Sequence, residues 1–367
     1  MAWLRLMALL ARRMLLRSRI RGVDSRYYAY LFRIGTYMEE VNKYSHGIVT
    51  DRNRLYWDEF KQIPSVYPSP DEQEAITRYL DHQSLVISRL THRKRSLIAL
   101  LNEQKQAIIR HAVTRGIDPR VRLKPSGVPS LGDIPEHWEV RRIKQVSRIL
   151  RGKFSHRPRN DASLYGGDYP FIQTGAVARA KKLITNYSQT LNERGLSISK
   201  LFPKGTLVMT IAANIGDVAV LSFDACFPDS VVGFVPSAAA DRDFLFLVLR
   251  SMKTELLREA PVNTQGNLNV ERIGVMNIPC PPIEEQRRIA SAVEDEYIIL
   301  DQAVDRTERD INLIREYRSR LIAEIVTGQL DVRNAAAGLP AAVEEADATT
   351  EVDDEAEEPL EAVADDD

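Results

Sequence analysis

The run Arg151-Gly-Lys-Phe-Ser-His-Arg-Pro-Arg159 sets four cations, Arg151, Lys153, Arg157 and Arg159, beside two smaller polar donors, Ser155 and His156. Cations grouped in a loop can follow a line of phosphates, and such contacts fix position without reading sequence. A second set differs in type: Gln173, Thr174, Lys181, Lys182 and Asn214, with Gln265, Asn267 and Asn269 in the run Asn263-Thr-Gln-Gly-Asn-Leu-Asn269. Amide side chains can pair with two edge groups of adenine, and Lys with guanine. Each set has a plainer reading, since a basic stretch is commonly a solvated face and Asn or Gln in a turn commonly caps it. The chemistry open to these residues is contact with a nucleic acid duplex.

Catalytic constellations are missing from the sequence. It has no Gly-rich phosphate loop, no Asn-Pro-Pro-Tyr or Asp-Pro-Pro-Tyr tetrapeptide and no early strand-turn-helix fingerprint for a nucleoside cofactor. Pro228-Asp229 opens like a nuclease motif, but no acidic-x-Lys partner follows, so it is read as a turn. The six His show no metal-ligand spacing, and Cys226 and Cys280 are too few for a disulfide framework or a four-Cys zinc site. Two free thiols fit a reducing cytoplasm. Met1–Arg21 is apolar but broken by Arg5, Arg12, Arg13 and Arg17, which argues against a membrane span or an export signal.

Charge is segregated along the chain. Of 51 acidic residues, 13 lie from Glu344 onward, where there is no Lys or Arg, so residues 1–343 carry 12 cations in excess. A basic body favours a polyanionic partner. The acidic tail, within 332–367, is expected to be disordered.

The elements that must position the candidate residues are revealed by an internal repeat. Tyr67-Pro-Ser-Pro-Asp-Glu-Gln73 matches Cys280-Pro-Pro-Ile-Glu-Glu-Gln286 at an ungapped offset of 213 residues, and the match runs on to Asp118 and Asp331. Each copy passes from Pro-rich extended chain into acidic residues and then a run free of Gly and Pro, which predicts a helix of about 44 residues, roughly 65 Å long. Ile76, Leu80, Ile87, Leu90, Leu97, Leu101 and Ile108 follow alternating three- and four-residue steps, with Gln83, Lys94 and Gln104 as polar interruptions. The second copy gives Ile289, Val293, Leu300, Ala303, Ile314, Tyr317 and Leu321, interrupted by Glu296, Thr307 and Asp310. The two helices pair antiparallel with each other, or each joins a separate coiled coil; the shared offset favours one unit used twice.

Between the helices, short apolar runs broken by Gly, Pro, Asn and Asp predict a mixed α and β domain. Its expected strands include Thr206–Ala212, Asp217–Ser222 and Val231–Val235, with helical periodicity over Phe244–Arg258.

The order of Gly132-Asp-Ile-Pro-Glu-His-Trp-Glu-Val140, Tyr169-Pro-Phe-Ile-Gln-Thr174, Pro203-Lys-Gly-Thr-Leu-Val208, Asn214-Ile-Gly216 and Ile278-Pro-Cys-Pro-Pro-Ile-Glu-Glu-Gln286 resembles the target-recognition domain of type I restriction-modification specificity subunits. The resemblance covers roughly Gly22 to Asp331. It implies an α+β chain: a remnant of a first recognition domain with an unmatched N-terminal segment (1–66), a first spacer helix and linker (67–130), a complete recognition domain (131–282), and a second spacer helix (283–331) completing an antiparallel coiled coil. It also implies a noncatalytic, cytoplasmic, DNA-binding subunit that directs adenine methylation and cleavage by methyltransferase and restriction/translocase subunits. S-adenosylmethionine, ATP and Mg would then sit on those partners, with no cofactor in this chain and no membrane association. The sequence departs from the pattern in its first domain, because Tyr27–Tyr67 aligns only with Asp241–Cys280. Two alternatives follow: an assembly scaffold that has lost DNA reading, or a half-subunit that homodimerises to read a bipartite site.

Overall fold

The computed structural model describes residues 22–46, 54–155, 161–259 and 268–340. Arg157, Arg159, Gln265, Asn267, the N-terminal segment 1–21 and residues 341–367 lie outside the described residues; of the tail expected to be disordered from 332, residues 332–340 are described and include the helix Arg333–Ala337, with Val332 and Ala336 buried. In chain order the helices are α1 (Ser25–Leu31), α2 (Gly35–Lys43), α3 (Trp57–Phe60) and α4 (Pro70–Arg115). Strands β1 (Leu123–Pro125), β2 (Asp133–Pro135) and β3 (Glu139–Arg142), helix α5 (Ile143–Val146) and β4 (Ser147–Arg151) follow. Next come β5 (Tyr165–Phe171), α6 (Thr174–Arg179), β6 (Leu183–Ile184), β7 (Gln189–Leu191), α7 (Glu193–Ser197) and β8 (Leu201–Phe202). After these stand β9 (Leu207–Thr210), β10 (Val218–Leu221), β11 (Ala225–Cys226) and β12 (Val231–Pro236). The chain closes with α8 (Arg242–Ser251), α9 (Lys253–Glu259), α10 (Val270–Val275), β13 (Asn277–Cys280), α11 (Ile283–Val326) and α12 (Arg333–Ala337).

The two long helices hold 46 and 44 residues, each free of internal Gly and Pro, with carboxylates in the first turn, Asp71 and Glu72 or Glu284 and Glu285. Those charges complement the helix dipole. Both runs stop at a glycine in left-handed geometry, Gly116 and Gly328, each at φ 76°, the usual helix-ending device.

The chain divides into two units: unit 1 draws on residues up to Ala99 and from Ala303 onward, and unit 2 is Leu100–Gln302. Each long helix contributes to both. Within unit 1, Ile76 and Leu80 of α4 share a core with Leu321 and Ile325 of α11, and Lys94 meets Asp310 at 2.8 Å. Within unit 2, Ile109 and Val113 share a core with Ile289 and Val293, and Lys105 pairs with Asp301. In each unit, rising numbers on α4 thus meet falling numbers on α11, an antiparallel pairing.

The heptad seam needs correction in detail. Ile76, Leu80 and Ile87 are buried, but Leu90 is 43% and Leu97 45% exposed. Beyond them the buried positions are Lys105 and Ile109 rather than Gln104 and Ile108, and on α11 Val304 and Ile311 rather than Ala303 and Asp310, while Tyr317 is exposed. A helix of 3.6 residues per turn drifts against a 3.5-residue repeat, so an interface not locked into a supercoil slips by one residue over several turns.

Unit 2 is built on a five-stranded sheet in the order β4-β12-β9-β10-β6 and a four-stranded one in the order β7-β5-β11-β8. The predicted strands are present, β9 and β10 shorter than expected and β12 one residue longer, and β9 and β10 are buried along their whole length, as expected of continuous apolar runs. The helix expected over Phe244–Arg258 is two, with the break at Met252. The Gly132–Val140 and Ile278–Gln286 motifs meet: β3 pairs with β13, Trp138 Nε1 donates to Glu285 Oε1 at 3.1 Å, and His137 Nε2 lies 2.8 Å from Glu285 Oε2. These motifs close the domain onto the start of α11.

Candidate nucleic-acid interface

The five-stranded sheet brings separate candidate segments to one of its ends. Val232 of β12 faces Arg151 at the end of β4, Val231 faces Thr210 at the end of β9, and Met209 faces Val218 at the start of β10. The loops after β4 and β9 and the turn before β12 therefore emerge side by side.

Hydrogen bonds join these loops in series. Gly152 N–H donates to Val231 O at 2.9 Å, Lys153 N–H to Phe227 O at 3.1 Å, and Arg151 Nε to Asp229 O at 3.1 Å. A Cβ on Gly152 would lie 2.1 Å from the Pro228 carbonyl oxygen, so this approach requires glycine. Pro228-Asp229 is thus the turn ahead of β12 on which the basic loop rests. On its other side Ile211 N–H donates to Ser230 O at 2.9 Å, and Leu268 N–H to Ile211 O at 2.8 Å. Leu268, near the end of the Asn-rich run, is thus held here.

Asn214 stands on a fixed loop. The buried Thr210 hydroxyl donates to Asn214 O and accepts from Asp217 N–H at 3.2 Å. Ala213 holds φ 47°, the sole non-glycine at positive φ among the described residues, and Gly216 follows at φ 83°. Such strain persists where surroundings over-determine it. Lys253 anchors the loop through Asp217. The Asn214 side chain itself is exposed.

The remaining candidates are placed differently. Lys153 and Ser155 are exposed next to the four-stranded sheet, where Ser199 Oγ donates to Lys153 O at 2.8 Å and Ser155 Oγ to Ile198 O at 3.4 Å. Gln173 Nε2 donates to Gln189 Oε1 at 2.7 Å, and Thr174 begins α6 half-buried. Asn269 Oδ1 accepts from Glu271 N–H and so caps α10, the plainer role for an Asn at such a position. Lys181 and Lys182 precede β6, where Arg250 Nη1 donates to Lys181 O at 3.0 Å. Lys182 Nζ is held by Glu294 at 2.5 Å and Asp243 at 3.6 Å. Burial raises the Cys226 and Cys280 thiols above their ordinary pKa, which keeps them protonated and unreactive. Among the described residues no group of His, Cys, Asp and Glu could hold a metal ion, and no helix is long and apolar enough to cross a membrane.

Residues 135–304 match the family described as type I restriction modification DNA specificity domain. That match covers less than half of the chain and shows a specificity domain of this kind within it. The specificity domain covers the five-stranded sheet, the loops at its end and the first half of α11. Over 289 residues the chain is 24% identical to the type I restriction enzyme MjaVIII specificity subunit of Methanocaldococcus jannaschii, covering 75% of this chain and 64% of that one. Over 168 residues it is 26% identical to the MjaIX specificity subunit of the same organism, covering 44% and 38%. The chain therefore spans less than two thirds of the length of these relatives. A solved chain from a structure described as the basis of complex assembly and conformational transition of the type I R-M system aligns with TM-score 0.63, 14% identity, and coverage of 86% of this chain and 74% of that one. That similarity is one of fold.

Sequence reasoning missed Gln73 and Gln286. Both amides are buried, at 0% and 1% exposure. Gln286 Oε1 accepts from Asp241 N–H at 2.7 Å while its Nε2 donates to Ala239 O at 3.0 Å and Pro281 O at 2.8 Å. Gln73 repeats the pattern with Asp24 N–H at 2.8 Å, Gly22 O at 3.3 Å and Pro68 O at 2.9 Å. The signal was present as the invariant last letter of the repeated motif.

Proposed function

We propose that the chain is the sequence-specific DNA-binding specificity subunit of a type I restriction-modification complex, directing adenine methylation and cleavage carried out by partner subunits. The observation that carries this reading is the convergence of the start of the basic loop, the strained Asn214 loop and Leu268 at one sheet end of a domain matching the specificity family. In it, Arg151, Lys153, Ser155, Arg157 and Arg159 contact phosphates. Asn214, Gln265 and Asn267 read base edges, and Gln173, Thr174, Lys181, Lys182 and Asn269 are further base-edge candidates. The partners are double-stranded DNA, methyltransferase subunits held by the paired helices, and a restriction/translocase subunit. The chain is noncatalytic and cytoplasmic, and S-adenosylmethionine, ATP and Mg belong to the partners.

The test is selection from a random duplex library by the full chain with and without a methyltransferase subunit, followed by a methylation assay. Enrichment of a defined word, with adenine methylation only when the methyltransferase is added, is expected. Methyl transfer by the chain alone, or binding with no sequence preference in either setting, would refute the proposal.

A further inference from the structure

The two glutamine networks give a residue-by-residue superposition of unit 1 on unit 2. Asp24 and Asp241 each donate their N–H to the buried glutamine, and each caps the helix that follows, Asp24 accepting from Arg26 N–H and Asp241 from Asp243 N–H. Arg26 of α1 therefore occupies the position of Asp243 of α8, and Tyr28, Tyr30 and Phe32 those of Leu245, Leu247 and Leu249. Along the long helices Asp81 stands where Glu294 does.

In unit 2 these positions receive the recognition domain. Asp243 and Glu294 form an acidic pair whose cation, Lys182, comes from the chain leading into β6. Leu245, Leu247 and Leu249 are buried in the core that includes the strands. Unit 1 changes both features. The position of Asp243 is now itself a cation, and Arg26 Nη1 bonds Asp81 Oδ2 at 3.1 Å while Tyr30 OH donates to Asp81 Oδ1 at 2.8 Å. The three leucines become aromatic rings that are half-buried, and Phe32 packs on Tyr37 and on Phe60 of α3, at 5.0 and 5.9 Å between ring centres. A ring with a hydroxyl tolerates a wet surface where a leucine does not.

We infer that unit 1 is a closed cap on the paired helices: Arg26 and Tyr30 supply from within the unit what the recognition domain supplies in unit 2, so the chain does not seat a second recognition domain there and selects one uninterrupted DNA word. The word-length consequence rests on the proposed DNA reading; the closed cap does not. A seat awaiting a separate module would keep the acidic pair and the apolar face, because both would be needed when the module docked.

Hydrogen exchange on the full chain, without partners, tests the cap directly. The amides of α1, including Phe32 N–H bonded to Tyr28 O at 2.9 Å, should be protected in the isolated chain. Asp81→Ala should speed their exchange at least tenfold without moving α8, and Arg26→Lys, which keeps the cation, should leave protection nearly intact. Freely exchanging α1 amides in the wild type, or protection indifferent to Asp81→Ala, overturns the cap. In parallel, library selection by the chain with a methyltransferase should return one continuous word, and a bipartite word overturns the inference. A library with no enriched word refutes DNA reading instead, and the exchange result then decides the cap alone.

Discussion

Asn214 and Lys153 sit a few residues from the same sheet end, and the proposed reading gives them different tasks. The Asn214 backbone is held by Thr210 and lies between Ala213 and Gly216, both at positive φ, so the point from which its exposed side chain projects is fixed. A bidentate amide–adenine pair discriminates by about 1–3 kcal/mol. Asn214→Ala should therefore flatten preference at a single position of the word, roughly ten- to a hundredfold, with little effect on affinity for random duplex; selection on both proteins measures this. Lys153→Ala should instead weaken every sequence alike and lower the slope of log affinity against log salt by about one, which a salt titration reads. The buried glutamines are structural in a different sense. Gln286→Ala would leave the Asp241 N–H and the Ala239 and Pro281 carbonyls without the amide, and Gln73→Ala the Asp24 N–H and the Pro68 carbonyl, Gly22 O keeping its bond from Tyr67 OH, at about 1–3 kcal/mol for each group left unsatisfied. Each variant should lower Tm by several degrees while the word selected stays the same.

At the scale of elements, the polar interruptions in the long helices turn out to be partners. Lys94 and Asp310, read in the sequence as breaks in two separate seams, meet across unit 1, and Lys105 with Asp301 does the same in unit 2. Such cross-helix pairs fix register more than they add stability. The hydrogen bond from Lys94 holds the Asp310 carboxyl below its ordinary pKa of 3.8. A depressed native pKa contributes stability above the unfolded pKa, and that contribution is lost as pH falls through the native one. Wild type should therefore be more stable than Lys94→Ala at neutral pH, with the gap closing as pH drops below about 4, as acid titrations of the two proteins followed by circular dichroism would show. A charge swap, Lys94→Asp with Asp310→Lys, should recover stability that either change alone loses. The seam between these pairs was the least legible feature. Heptad spacing reports which residues are apolar but not the drift of an ordinary helix past its neighbour, and so Leu90 and Leu97 were placed inside when they are exposed.

For the molecule as a whole, a chain with one reading face behaves differently from a ruler between two. Adding seven residues to each long helix at facing positions, after Leu97 and after Arg306, preserves the seam and lengthens the pair by about 10 Å. With a closed cap in unit 1, the selected word should be unchanged in sequence and in length, and a shift in spacing between two half-words would show a second reading face. The repeat, the long helices, the domain between them and its resemblance to a specificity domain were all legible in the sequence, because each is written locally: an offset of 213 residues, runs free of Gly and Pro, and motifs in a fixed order. Only the tertiary structure decided which candidates stand together. Arg151, Asn214 and Leu268 are far apart in the chain and are brought to one sheet end by the pairing of β4, β12, β9 and β10 and by the bond from Leu268 N–H to Ile211 O, long-range contacts that no local pattern encodes. Lys182 and Asn269 looked equally suited to DNA in the sequence, but folding brought Glu294 to one and the start of α10 to the other. The difference between the two units likewise rests on contacts: Arg26 and Tyr30 are unremarkable letters until the fold sets both against Asp81.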